Sequence, residues 1–467
     1  MLIDETLEQQ QEDKFREECG LFGGKVSDKN NIQITCFALY ALQHRGQESA
    51  GIAVNNGDKI WLKKGTGLVS EVFDDMGTFD NKKGNLVMGH VRYSYGKEGS
   101  SPENSQPLLF RYRFGEMAIA HNGNLLNHKR LREGLESQGS IFQTTTDSEL
   151  LAHFIAREGS QEIEESLKSV VPALKGGYAF IILTKDKVIG FRDPLGIRPL
   201  SLGVLNGKDY ILASETCVFE SLGADFIRDV EPGEMVIIND NWISSHRITE
   251  SPRSALCVFE FIYFARPDSD MCGRNVHLVR RELGRILARE HPVEADIVIG
   301  VPDSSISAAS GYAEEADLPF EMGLIKNRYI GRTFIQPNPE VRRLGVGIKL
   351  NPVKSIVDGK RVVIIDDSIV RGTTSMQLVK MLKRAGAREV HMRISSPPVI
   401  ASCFYGINTP TTEELIATKG EDEIAAMIKA DSLGFLSNEG MIQAVNINKE
   451  NLCTACFDGN YPVKIEE

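Results

Sequence analysis

The 467-residue sequence predicts an α+β front half built on largely antiparallel sheets, followed by an α/β back half built on a parallel sheet. Three observations carry this. Short apolar runs between turn residues dominate residues 19–250, among them Leu86-Val87-Met88-Gly89, Met117-Ala118-Ile119-Ala120 and Ala179-Phe180-Ile181-Ile182-Leu183. Such runs build antiparallel sheets with a few helices between them. From residue 270 onward, helical stretches alternate with strand-loop units at 297–303, 362–374 and 390–394, as a parallel sheet with crossover helices requires. Finally, the β-branched run Val362-Val363-Ile364-Ile365 reads as a strand buried on both faces.

In chain order, residues 1–18 are polar, acidic and glutamine-rich, and the composition changes abruptly at Cys19-Gly20-Leu21-Phe22-Gly23-Gly24. This reads as a flexible leader meeting a folded domain. A polar, proline-bearing junction at Ser251-Pro252-Arg253 marks the next boundary. The expected division is therefore 1–18, 19–250 and 251–467, and the length supplies a core for each folded part. A formal charge of −11 disfavours a nucleic-acid partner. The local Lys/Arg clusters at 326–332 and 342–349 still suit a small polyanion. No membrane-length apolar run and no hydrophobic signal core are present, so no membrane partner and a cytoplasmic location are expected. Eight cysteines at irregular spacing do not resemble a secreted disulfide framework, which leaves metal binding or catalysis to account for some of them.

Beyond the buried strand come Asp366-Asp367-Ser368-Ile369-Val370-Arg371-Gly372-Thr373-Thr374, then a helical pattern with Leu378, Val379, Leu382 and Ala385 on one face. A glycine, two hydroxyls and unpaired N–H groups at a helix start form a site for an anion. Adjacent carboxylates bind ribose hydroxyls or hold a hydrated Mg²⁺, although an Asp-Asp pair taken alone is equally a solvated turn. The whole string resembles the loop of type I phosphoribosyltransferases that binds phosphoribosyl pyrophosphate (PRPP). That resemblance implies Asp366 and Asp367 at the ribose and Mg²⁺, with Ser368, Arg371, Gly372, Thr373 and Thr374 around the 5-phosphate. Val301-Pro302-Asp303-Ser304-Ser305 resembles the pyrophosphate loop of the same enzymes, with Ser304 as a Mg²⁺-associated hydroxyl. The segment 326–334, carrying Lys326 and Arg332, and the basic 342–349 are similar to the flexible loop that closes over PRPP. A lid must carry positive charge and bend, and its arginines and glycines suit both needs.

In the front half, Cys19 is followed in order by Gln43-His44-Arg45-Gly46-Gln47-Glu48-Ser49-Ala50-Gly51, His90-Val91-Arg92-Tyr93-Ser94, His121-Asn122-Gly123-Asn124-Leu125 and Thr146-Asp147-Ser148-Glu149. Together these resemble the glutaminase domain of class II glutamine amidotransferases, which are N-terminal nucleophile (Ntn) hydrolases. The resemblance implies that Cys19 is the nucleophile and that residues 1–18 are a propeptide cleaved between Glu18 and Cys19. The chemistry requires that cleavage, because a free α-amine, with a pKa of about 7.7–8.0, accepts the thiol proton and an amide does not. It further implies an oxyanion hole from Asn122 and Gly123. Arg92 would meet the α-carboxylate of glutamine and Asp147 its α-amino group. One departure is local: Tyr95 stands where the family usually has threonine, and the loop after it is about one residue longer.

Cys257-Val258-Phe259-Glu260-Phe261-Ile262-Tyr263-Phe264-Ala265-Arg266-Pro267-Asp268-Ser269 joins the halves and looks like the amidophosphoribosyltransferase family. The resemblance implies transfer of glutamine-derived ammonia to PRPP, giving 5-phosphoribosylamine, glutamate and pyrophosphate at the committing step of purine synthesis. It also implies feedback inhibition by purine nucleotides and a homotetramer or dimer. Cys453-Thr454-Ala455-Cys456 is a CxxC pair, compatible by itself with zinc, a redox pair or neither. One subgroup of the family holds a 4Fe-4S cluster on four cysteines, and Cys257, Cys403, Cys453 and Cys456 fall at those places. Zinc on the same ligands is the rival. Another class II amidotransferase would need a different acceptor domain, and a PRPP-sensing regulator would have no use for Cys19, Asn122 and Asp147.

Overall fold

The computed structural model describes residues 19–75, 84–93, 101–327, 350–407, 409 and 415–465. The front half stacks two antiparallel sheets face to face. One has seven strands in the spatial order 225–229, 201–205, 209–213, 20–25, 86–92, 49–55 and 60–66. The other has six, in the order 243–247, 234–239, 187–192, 176–183, 115–125 and 108–112. Leu21, Met88, Ala120, Ile181, Leu212 and Val236 pack between them, all fully buried. Helices Asn31–Ala41 and Cys217–Leu222 cover the outer face of the first sheet. Ser148–Glu158 and Ile163–Val170 cover that of the second. With helix on one side and sheet on the other, strands such as Ser49–Asn55 and Gly176–Leu183 are buried at every residue. This is why they read as apolar runs, without the polar alternation of a one-sided sheet.

The back half is a parallel sheet ordered Ile297–Gly300, Arg361–Asp366, Glu389–Ile394 and Ser432–Phe435. Val362 and Ile364 face a core shared with Leu378, Val379 and Leu382 of helix Thr373–Arg384. Val363 and Ile365 face the other way, toward helices Val276–Glu290 and Ile306–Glu315. The expected burial on both faces therefore holds, and each such side chain contributes roughly 1.5–3 kcal/mol. Because Gly300 pairs with Ile365, the loops that follow these two strands emerge side by side at the carboxyl edge. Leu324–Lys326 and Leu350–Pro352 pair antiparallel, drawing together the two ends of the segment between them. The last part of the chain returns to the junction between the halves, where the strand Leu452–Cys453 pairs in parallel with Leu256–Cys257.

Candidate active sites

Cys19 stands immediately before the strand Gly20–Lys25, half-buried, with its Sγ 3.9 Å from the carbonyl oxygen of Tyr93. Arg92 ends the neighbouring strand and donates from Nη1 to Asn104 O at 2.6 Å. Burial pulls its guanidinium below the ordinary range, against the opposing charges of Cys19, Glu48 and Asp147. Those influences place the thiol, the guanidinium and the Asp147 carboxylate in one electrostatic neighbourhood. Asp147 immediately precedes helix Ser148–Glu158 and accepts from Leu125 N at 2.8 Å and from His121 Nδ1 at 3.2 Å. Burial alone would raise its carboxyl, but His121 and the Leu125 N–H reverse the shift and hold it below the usual carboxylate range.

Asn122 and Gly123 lie on the strand Gly115–Leu125, between the two residues that grip Asp147. Asn122 is fully buried, and neither atom of its amide has a hydrogen-bond partner among the described residues. Such a group costs free energy unless a ligand completes it. Gly123 adopts φ +126°, and a Cβ there would sit 2.0 Å from Gly177 O, so only glycine presents this N–H in this way. Tyr95 and the 94–100 loop, like the leader 1–18, fall outside the described residues.

The second site lies on the carboxyl edge of the parallel sheet, where this architecture places ligands. Asp366 and Asp367 are each 1% exposed and share a cluster of serines. Ser304 Oγ donates to Asp367 Oδ1 at 2.6 Å, and Ser305 Oγ to Asp366 Oδ1 at 3.1 Å and Asp367 Oδ1 at 3.2 Å. Ser368 Oγ donates to Asp367 Oδ2 at 3.1 Å. The two loops read separately along the chain are thus one hydrogen-bonded unit. Gly372 takes φ +84° at the start of helix Thr373–Arg384, and a Cβ there would stand 2.5 Å from Ile416 Cδ1. Arg371 and Thr374 are half-buried and Thr373 is exposed at that helix start. Lys326 pairs with Asp303 at 3.1 Å. Arg332 and the basic 342–349 stretch lie outside the described residues.

The thiols of Cys257, Cys403 and Cys453 all act on that of Cys456, although Cys257 and Cys403 lie far from it in the chain. Cys257 and Cys453 sit opposite each other on the parallel pair. Cys456 lies on the short helix Ala455–Asp458, and its carbonyl accepts from Ile400 and Ala401 N–H. Cys403 Sγ accepts from Tyr405 N at 3.4 Å. Burial pushes the Cys453 thiol up to about 12, and the nearby Cys403 adds to the rise. Burial, then the other three sulfurs, drive Cys456 well above its ordinary value. Among the described residues, no group of three or more His, Cys, Asp or Glu side chains is arranged to hold a metal ion.

Ser305 and Asn104 take part in these arrangements without having been singled out along the chain, and Arg45, held by Glu260, donates to the carbonyl of Cys19. Ser305, Arg45 and Glu260 lay inside recognised motifs. Asn104 carried no signal of its own.

Comparison with known proteins bears on both halves. Residues 90–221 match the family model of a glutamine amidotransferase domain, and residues 276–395 that of a phosphoribosyl transferase domain. Amidophosphoribosyltransferase of Bacillus subtilis (strain 168) is 52% identical over 457 residues, covering 97% of this chain and 95% of that protein. The Synechococcus elongatus amidophosphoribosyltransferase is 49% identical over 472 residues, covering 100% of this chain and 95% of that protein. The solved structure of the B. subtilis glutamine PRPP amidotransferase complexed with ADP and GMP superposes with a TM-score of 0.90 at 51% identity, covering 96% and 98% of the two chains.

Proposed function

The chain belongs to the amidophosphoribosyltransferase family and makes 5-phosphoribosylamine from PRPP and glutamine in purine biosynthesis; within that activity, we propose that Cys19 and the Asp366-Asp367 loop divide the work. The proposed parts are a propeptide 1–18, a glutaminase domain 19–250 and a phosphoribosyltransferase domain 251–467. The second boundary is supported by the last strand of the front sheets, which ends at Arg247.

Removal of the propeptide frees the Cys19 amine to take the thiol proton. Sγ then attacks the side-chain amide carbon of glutamine, and the tetrahedral oxyanion is met by the Asn122 amide and the Gly123 N–H. Ammonia leaves with the proton returned by the Cys19 amine, and water hydrolyses the thioester to glutamate. Arg92 and Asp147 orient the substrate by its α-carboxylate and α-amino group, opposite charges that select a free amino acid. At the second site, ammonia attacks C1 of PRPP and pyrophosphate departs. Ser368, Arg371, Gly372, Thr373 and Thr374 hold the 5-phosphate at the helix start. Lys326 and Arg332 meet the pyrophosphate as the segments 326–334 and 342–349 close over it and exclude water, in which ammonia would be protonated and lose its nucleophilic pair.

Two groups complete the reading. The family uses Mg²⁺; Asp366, Asp367 and Ser304 would hold it, their clustered oxygens suiting a hard cation that neutralises the departing pyrophosphate. Cys257, Cys403, Cys453 and Cys456 would hold a 4Fe-4S cluster, since four thiolates suit that group and ionised thiols at so buried a place need a cationic partner. That cluster would tie the tail to the junction, and a brown colour with broad visible absorption distinguishes it from zinc. Purine nucleotides are the proposed feedback inhibitors, a homotetramer or dimer the proposed assembly, and the cytoplasm the proposed location. No described helix is long and apolar enough to cross a membrane.

The observation that carries the glutaminase assignment is the fully buried Asn122 amide, unpaired among the described residues, on the strand that also grips Asp147. Its test uses the mature protein with glutamine, PRPP and Mg²⁺, following glutamate and pyrophosphate. Cys19→Ala should abolish glutamine-dependent synthesis and retain synthesis from free ammonia. Equal pyrophosphate release with glutamine by wild type and Cys19→Ala, with no glutamate from either, would refute the coupled mechanism.

A further inference from the structure

Glu260 opens a π-helical turn, Glu260–Phe264, in the segment that joins the two halves, and it is fully buried. Its carboxylate holds the guanidinium of Arg45 through both oxygens, Oε2 accepting from Nη1 at 2.9 Å and Oε1 from Nη2 at 2.8 Å. Arg45, 1% exposed, donates its remaining nitrogen, Nε, to the carbonyl oxygen of Cys19 at 3.3 Å. Glu215 takes a second hydrogen bond from Nη1 at 2.6 Å, and itself accepts from Arg266 N and Ser269 Oγ of the same joining segment. Arg198 stands 3.6 Å from Glu260 and donates to Tyr405 O, two residues from Cys403. A continuous buried polar chain thus runs from the nucleophile's own backbone into the phosphoribosyltransferase half.

We propose that Glu260 is a positioning residue of the glutaminase reaction, fixing Arg45 so that its Nε pins the Cys19 carbonyl and orients the thiol and amine that do the chemistry. The proposal rests on the reading of Cys19 as an N-terminal nucleophile. A terminal residue has no preceding peptide to hold it, so its orientation depends on its carbonyl and side chain. Pinning the carbonyl sets the torsion that aims the amine and Cβ. Glu215 reaches Nη1 alone, about which a planar guanidinium can still swing, whereas the Glu260 fork holds both terminal nitrogens and fixes its plane. A nucleophile displaced by about 1 Å loses on the order of 10²-fold in rate. The consequence is that the glutaminase site is completed by a residue outside the glutaminase domain, so the geometry of the joining segment reaches the nucleophile directly.

The test is kinetic, on the full mature enzyme. Glu260→Gln keeps the shape but replaces one acceptor with a donor facing Arg45, so the fork is lost. Its kcat for glutamine hydrolysis should fall by about 10²-fold while the glutamine KM changes by less than about 3-fold. Alkylation of Cys19 by a diazo-ketone analogue of glutamine should slow in parallel, and synthesis from free ammonia should stay within about 2-fold of wild type. Glu260→Asp, which restores the charge, should recover part of the loss. Arg45→Lys combined with Glu260→Gln should be no slower than the worse single variant, since both act through one contact. Equal losses of glutamine- and ammonia-dependent activity in both Glu260 variants would overturn the proposal, as would an unchanged hydrolytic kcat or additive losses in the double variant. A Cys19→Ala control that still hydrolysed glutamine would instead overturn the underlying assignment of the nucleophile.

Discussion

Asn122→Ala separates function from stability in opposite directions. The side chain is fully buried and its amide unpaired among the described residues, so folding desolvates two polar atoms without return. That penalty is roughly 1–3 kcal/mol. Alanine removes it and leaves a void costing on the order of 1 kcal/mol. The variant should therefore be as stable as wild type, or more so by up to about 2 kcal/mol, with Tm unchanged or raised by a few degrees. Catalysis should suffer, because one oxyanion donor is worth about 10²–10³ in kcat, or roughly 2.7–4 kcal/mol. Glutamate release at saturating glutamine, PRPP and Mg²⁺ measures the loss, and ammonia-dependent synthesis confirms that the second site is intact. A fall in hydrolytic kcat of less than about 10-fold would refute the oxyanion assignment. A drop in Tm of more than about 4 °C would show that the amide holds the fold together, contrary to the reasoning.

Asp367→Asn disturbs the acceptor that Ser304, Ser305 and Ser368 share. Glutamine- and ammonia-dependent synthesis should fall together, on the order of 10²-fold, while hydrolysis of glutamine at Cys19 persists. Gly372→Ala forces a Cβ into φ +84° and against Ile416, a strain of about 1–2 kcal/mol before any clash. The KM for PRPP should rise about 10-fold, and alkylation of Cys19 by a glutamine analogue should be unaffected. Glu215 titrates in the opposite sense from a group that is merely buried. Burial would raise its carboxyl, but His44 and Arg45 outweigh that and hold it well below the ordinary value. Because the folded pKa is depressed, its contribution to stability is complete above about pH 4.3 and is lost as pH falls toward the folded value. Thermal melts from about pH 7 down to about pH 2.5 should show Glu215→Gln less stable at neutral pH and with a shallower loss on acidification.

Local pattern made much of the fold legible. Val362 to Ile365 announce a strand buried on both faces because β-branched runs satisfy two cores at once, and Val362 and Val363 do point into different cores. Leu378, Val379 and Leu382 keep helical spacing because one face of Thr373–Arg384 meets the sheet. The sandwiched front sheets are harder to read. Their strands are apolar throughout, so periodicity identifies burial without saying which sheet a strand joins, and the spatial neighbours of 20–25 are 86–92 and 209–213.

The sequence by itself determined the two-part architecture and pointed to the acidic loop with its helix start and to the ordered set Cys19, Arg92, Asn122, Gly123 and Asp147, because each is a run or lies in a motif of adjacent residues. Tertiary structure decided what those residues lean on. Ser304 and Ser305 join Asp366 and Asp367 only because Gly300 and Ile365 are register neighbours. Cys257 and Cys453 lie opposite each other because the tail pairs with Leu256–Cys257. Glu260 grips Arg45 across 215 positions of chain. Hydrophobic periodicity is a property of neighbours along the backbone, whereas a buried hydrogen bond between distant residues exists only once the packing of both halves has brought its donor and acceptor within about 3 Å.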